Sequence, residues 1–94
     1  MYVKFKIMWL SEDGSEYLDE VIEASSKSEI KRKVANYCKR TWEKIKSMPE
    51  FRKKIKTPSL GGDMDIIDVF PYVEPIEGDV NLAFIDTIFD ELGF

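Results

Sequence analysis

The stretch YVKFKIMWL, residues 2–10, decides the fold. Val3, Phe5, Ile7 and Trp9 alternate with Tyr2, Lys4, Lys6 and Met8. A period of two marks a strand with one buried face. Being the most apolar strand candidate, it is expected at the centre of a sheet. SEDGSE follows, with Asp13 and Gly14 as turn residues. YLDEVIEA, residues 17–24, returns as a second strand with Leu18, Ile22 and Ala24 inward. The two runs predict an antiparallel hairpin with a loop longer than the tightest type.

The next period is helical. In residues 25–48, Ile30, Val34, Tyr37, Cys38, Thr41, Ile45 and Met48 fall within one arc, flanked by Ala35 and Trp42. Ser26 followed by Glu29 is a capping-box pattern. Pro49 interrupts, and PEFRKKIK, residues 49–56, is expected as a short helix with proline in its first turn. TPSLGGD reads as a loop, and DMDIIDVF, residues 63–70, as the third strand. Two prolines in residues 71–79 predict an extended connector. It leads to a C-terminal helix over residues 80–92, capped by Asp79 and ended by Gly93.

The order is β-β-α-(short α)-β-α. It predicts an α+β fold: a three-stranded antiparallel sheet with the long helix across one face. The 94 residues make one domain, 1–94, without an internal repeat. The last helix carries a wide apolar arc of Leu82, Phe84, Ile85, Ile88, Phe89 and Leu92. It is expected on the sheet face that the long helix leaves uncovered.

Composition narrows the chemistry. Histidine is absent, which removes the usual general base near neutral pH and the commonest metal ligand. Cys38 is the only cysteine, so no disulfide forms within the chain and no paired-cysteine metal site exists. We expect no catalytic site, no cofactor and no metal. Asp63, Asp65 and Asp68 form a D-x-D-x-x-D cluster, but on a strand Asp68 faces away from the other two. Lys4 and Lys6 break the N-terminal apolar run, and no stretch reaches the roughly 20 apolar residues of a membrane span. The reading is cytoplasmic, with no membrane partner.

Charge is segregated along the chain. Residues 1–26 carry −4, residues 27–56 carry +9, and residues 57–94 carry −9 with no Lys or Arg. The basic block ends in Arg52, Lys53, Lys54 and Lys56, which suit phosphate, an acidic protein surface or the chain's own acids. Numerical balance favours the chain's own acids. The acidic segment is rich in aromatics, and Asp63, Asp65, Asp68, Tyr72, Glu74, Glu77, Asp86, Phe89, Asp90 and Phe94 are the candidate partner-binding residues.

DTIFDELGF, residues 86–94, resembles the C-terminal peptides by which some tailed-phage DNA polymerases dock on the sliding clamp. That resemblance implies Ile88, Phe89, Leu92 and Phe94 in a clamp pocket. The leading functional expectation is a non-enzymatic protein-binding module, a virus- or phage-type inhibitor of a nucleic-acid-handling protein. Direct nucleic-acid binding by the 27–56 block comes second, and clamp docking third. An open sheet edge also offers a route to a homodimer.

Overall fold

The computed structural model describes residues 1–11, 13–49, 52–57, 62–67 and 70–94, with backbone alone in 52–57 and 62–67. Strand β1, Val3–Leu10, is the middle of a three-stranded antiparallel sheet in the order β2-β1-β5. Its alternation holds from Val3 to Ile7 and then fails: Val3, Phe5, Ile7 and Trp9 are buried and Lys4 and Lys6 half-exposed, but Met8, also an outward position, is buried as well. Strand β2, Glu16–Ala24, pairs with it through a turn in which the Asp13 carboxylate accepts from the Ser11 hydroxyl and the Ser15 N–H. The Ser11 bond, with the Ser15 N–H behind it, holds the Asp13 carboxyl down at about 2.

The hairpin is irregular at one point. Ile7 pairs with Glu20 but Trp9 pairs with Tyr17, so β2 carries an extra residue opposite Met8. Leu18 takes up the bulge in the left-handed region, φ 55°, at a cost of about 1–2 kcal/mol for a residue with a Cβ. The Leu18 carbonyl accepts a 2.7 Å bond from the Tyr37 hydroxyl of the long helix. The bulge brings both Tyr17 and Leu18 against the core, so strict alternation fails there.

Helix α1, Lys27–Lys46, starts at Ser26, whose hydroxyl accepts from the Glu29 N–H at 3.2 Å. The Glu29 carboxylate reaches back to the Ser25 N–H, one residue earlier than a strict capping box. Ile30, Val34, Tyr37, Cys38, Thr41 and Ile45 are its buried face. Trp9 donates its indole N–H to the Thr41 hydroxyl, 2.7 Å, and Thr41 donates to the Tyr37 carbonyl, 2.7 Å. Both polar groups buried under the helix are thereby satisfied.

Two expectations for the middle of the chain are corrected. Residues 52–56, read as part of a short helix, lie on strand β3, Arg52–Thr57. It pairs with β4, Gly62–Ile67, in a separate two-stranded sheet. The third strand of the main sheet is β5, Pro71–Glu77, and not the 63–70 segment. The residues read as a connector are therefore extended, but as a ladder strand. β5 is an edge strand, where Pro71 and Pro75 are tolerated. A second bulge falls at Ile76, between the Phe5–Pro75 and Lys4–Glu77 pairs.

Gly78, φ 80°, closes β5 against the N-terminus; a Cβ there would sit 2.2 Å from the Tyr2 carbonyl oxygen. Helix α2, Leu82–Glu91, is capped by Asn81, not Asp79. It ends with the Gly93 N–H bonded to Asp90 O and the Phe94 N–H to Phe89 O, both 3.0 Å, the Schellman pattern.

The position of α2 is a further correction. Ile85, Ile88 and Phe89 join the same core cluster as Phe5, Ile7, Trp9, Ile30 and Val34. Lys31 of α1 pairs with Glu91 at 3.3 Å, and Lys27 stands over the Phe84 ring. Both helices thus share one face of the sheet, and α2 does not roof the other.

Candidate functional site: the open face of the sheet

The strand periodicity that buries Val3, Phe5, Ile7 and Trp9 under the helices sends the intervening residues to the opposite face. Cross-strand register sets what surrounds them. Lys4 stands between Glu23 of β2 and Glu77 of β5, and Lys6 between Val21 and Glu74. Met8, opposite Tyr72, is buried, so the face is exposed around Lys4 and Lys6 and covered at Met8. By register Lys4 is therefore flanked by carboxylates on both sides, and Lys6 on the β5 side.

Lys6 is the electrostatic hub. Its ammonium lies 2.9 Å from Glu16, 3.3 Å from Glu74 and 3.8 Å from Asp19. The hydrogen bond to Glu16 is the main reason its affinity for a proton rises above the ordinary lysine value. The same bond lowers Glu16. Asp19 moves the other way, raised first by partial desolvation and then by its neighbour Glu16. Glu16, Asp19, Glu23, Glu74 and Glu77 outnumber Lys4 and Lys6.

Aromatic and aliphatic groups share this face. Tyr2 is 45% exposed, Val21 51% and Tyr72 53%. The Tyr2 hydroxyl donates to Glu23 at 3.0 Å, which raises the phenol above its ordinary value. Ile76 at the bulge and Phe70 just before β5 are also exposed. Together they make an acidic sheet surface carrying flat, half-exposed rings.

Of the candidate partner-binding residues, Tyr72, Glu74 and Glu77 come together here. Asp86 and Asp90 are exposed on α2, in the helix layer on the far side of the sheet. Phe89 is buried, and Phe94 packs edge-on against Trp9 (5.3 Å between ring centres) and Trp42 (5.1 Å). With Ile88 also buried, the segment that resembles a clamp-docking peptide is part of the core. Asp63 and Asp65 hold β4 positions whose side chains lie outside the described residues, as does the whole of Asp68. The side chains of Arg52, Lys53, Lys54 and Lys56 lie outside them too, but the backbone register is described. It sets Lys54 opposite Asp65 and Lys56 opposite Asp63.

Sequence reasoning missed Tyr2, Glu16, Asp19, Val21 and Glu23. The signal was present: they are the outward positions of the hairpin, whose opposite face was expected to receive the last helix. An apolar cleft of about 410 Å³ lies elsewhere, lined by Cys38, Lys39, Trp42, Leu92, Gly93 and Phe94. Burial pushes the Cys38 thiol up to about 12, which makes it a packing group and not a nucleophile. Among the described residues no group of three or more metal-ligating side chains is clustered, and no helix is long and apolar enough to cross a membrane. Comparison with protein-family models, with curated proteins and with solved structures finds no match.

Proposed function

We propose that the protein is a non-enzymatic binding module that docks through the open face of its sheet onto a basic surface of a nucleic-acid-handling protein. One observation carries the reading: a sheet face over which, among the described residues, no helix lies presents five carboxylates around two lysines, together with Tyr2, Val21 and Tyr72 half-exposed. Tyrosine offers large contact area at low conformational cost, and the acids give electrostatic steering toward a cationic partner. A protein surface built to take phosphate groups has the complementary charge. Occupying such a surface is how a virus- or phage-type modulator would block its target, and that is the form of the reading we favour.

The test is affinity capture from nuclease-treated lysate with the parent chain and with Tyr72→Ala/Glu74→Lys/Glu77→Lys. The parent is expected to retain a protein partner that the variant loses, while both melt at the same temperature. Equal recovery by the two chains would remove the sheet face from the interaction.

A further inference from the structure

The +9 of residues 27–56 splits in the folded chain. On β3, two of the four cations stand opposite aspartates. On α1 the outcome differs. Lys31, Lys33, Arg40 and Lys46 pair with Glu91, Glu29, Glu20 and Glu43. Arg32, Lys39 and Lys44 are exposed, and among the described residues no carboxylate lies within 4.0 Å of any of them. The apolar arc of α1 is buried, so its solvent side is polar from end to end.

At helical spacing the cations form two rows. Arg32, Lys39 and Lys46 run along one flank; Lys33, Arg40 and Lys44 run along the other, with Asn36 and Glu43 on the crest between them. A 20-residue helix is about 30 Å long and, with side chains, about 10–12 Å wide. The major groove of a duplex is about 12 Å wide and has a row of phosphates on each wall. With Lys33, Arg40 and Lys46 held by carboxylates, Arg32 and Lys39 on one flank and Lys44 on the other are the cations left to meet the two phosphate rows.

Other anionic partners fit less well. A helix that lies on a membrane buries its apolar face in lipid, and that face of α1 is already taken by the sheet. Single-stranded nucleic acid is held by stacking on exposed rings. On α1, Tyr37 is buried and Trp42 packs against Trp9 and Phe94.

We propose that the solvent face of α1 is a second, separate interaction surface, one that binds the phosphate backbone of duplex nucleic acid through Arg32, Lys39 and Lys44. It lies on the helix side of the sheet, away from Tyr72, Glu74 and Glu77, so a protein docked on the sheet leaves it free. Binding is tested without any partner, which keeps the result independent of the sheet-face reading.

Fluorescence anisotropy with the purified full chain and a labelled duplex is expected to show saturable binding at 50 mM salt. If these three cations engage phosphates, affinity should fall about fortyfold by 200 mM. Arg32→Glu/Lys39→Glu/Lys44→Glu should lose at least about tenfold at 50 mM and flatten the salt dependence, with an unchanged melting temperature. Should that variant fail to fold, Arg32→Gln/Lys39→Gln/Lys44→Gln replaces it. Lys31→Gln, which removes a cation already held by Glu91, should change little. No duplex binding at 50 mM, equal binding to a single strand of the same length, or full affinity in the triple variant would each overturn the proposal. So would capture of phosphatidylserine vesicles in place of duplex.

Discussion

The two faces of the one sheet are built from alternate residues of the same strands and have opposite fates. On one, Phe5, Ile7 and Trp9 lie under two helices and a closing cluster of rings. On the other, Lys4 and Lys6 sit among five carboxylates, and among the described residues no helix lies above them. Apolar area removed from water stabilises the first at about 25 cal/mol per Å². Exposed ion pairs on the second contribute little each. The stability of the chain therefore resides on the helix side, and the open side is free to be shaped by recognition.

The sharpest test of that asymmetry is Trp9→Ala. Trp9 is fully buried, lies edge-on to Phe94 and donates its N–H to Thr41. A loss of about 3–5 kcal/mol is expected, measured by urea unfolding. A loss below 1 kcal/mol would mean that the helix side does not carry the fold.

Gly78→Ala probes the seam where β5 meets the N-terminus. The residue has φ 80°, and its new Cβ would overlap the Tyr2 carbonyl. Left-handed strain and steric displacement together are expected to cost about 2–4 kcal/mol. Thermal melting checks it, and an unchanged midpoint would show that the seam opens without consequence for the sheet.

Periodicity made the helix-covered face legible. Val3, Phe5, Ile7 and Trp9 alternate without interruption, and α1 repeats its apolar residues for five turns, so the central strand and its helix followed from spacing alone. Three things did not follow. Lys and Arg favour helix, and proline suits a helix start, yet pairing with β4 makes Arg52–Thr57 a strand. Pro71 and Pro75 argue against a central strand but not against an edge, and β5 is an edge. An apolar arc shows that a helix must pack but not on which face. The Schellman turn at Gly93 swings Phe94 toward Trp9 and Trp42, on the side of α1. Of the open face, only the β5 contribution of Tyr72, Glu74 and Glu77 was legible, because the acidic run drew attention to it. The β2 contribution depended on knowing that α2 lies elsewhere.

A smaller effect is expected at Tyr37→Phe. The ring stays in place, packed near Trp9, but the hydroxyl that bonds the Leu18 carbonyl is lost. Leu18 is already in the left-handed region, so its carbonyl has little freedom to find another donor. A cost of about 1–2 kcal/mol follows from an unsatisfied, partly buried acceptor. The position also separates geometry from hydrophobicity, since phenylalanine is at least as apolar as tyrosine. A neutral result in denaturant unfolding would show that the bulge holds its shape without the helix.

The smallest effect is expected on the open face, and its smallness is what the comparison requires. Tyr72 is 53% exposed and stands opposite Met8. Truncating it to alanine removes a ring that is half in solvent, and β5 keeps its pairing with β1 through the backbone. Surface substitutions of this kind stay within about 0.5 kcal/mol. Phe94→Ala is the matched control: it too removes one ring, but one that touches Trp9 and Trp42, and it should cost clearly more. Paired urea titrations of the two variants decide the matter. If Tyr72→Ala destabilises as much as Phe94→Ala, the ring on the open face is a structural support, and its exposure no longer argues for a binding role. If Tyr72→Ala is neutral while Phe94→Ala is not, the two aromatic groups belong to different functions, packing on one side of the sheet and contact on the other.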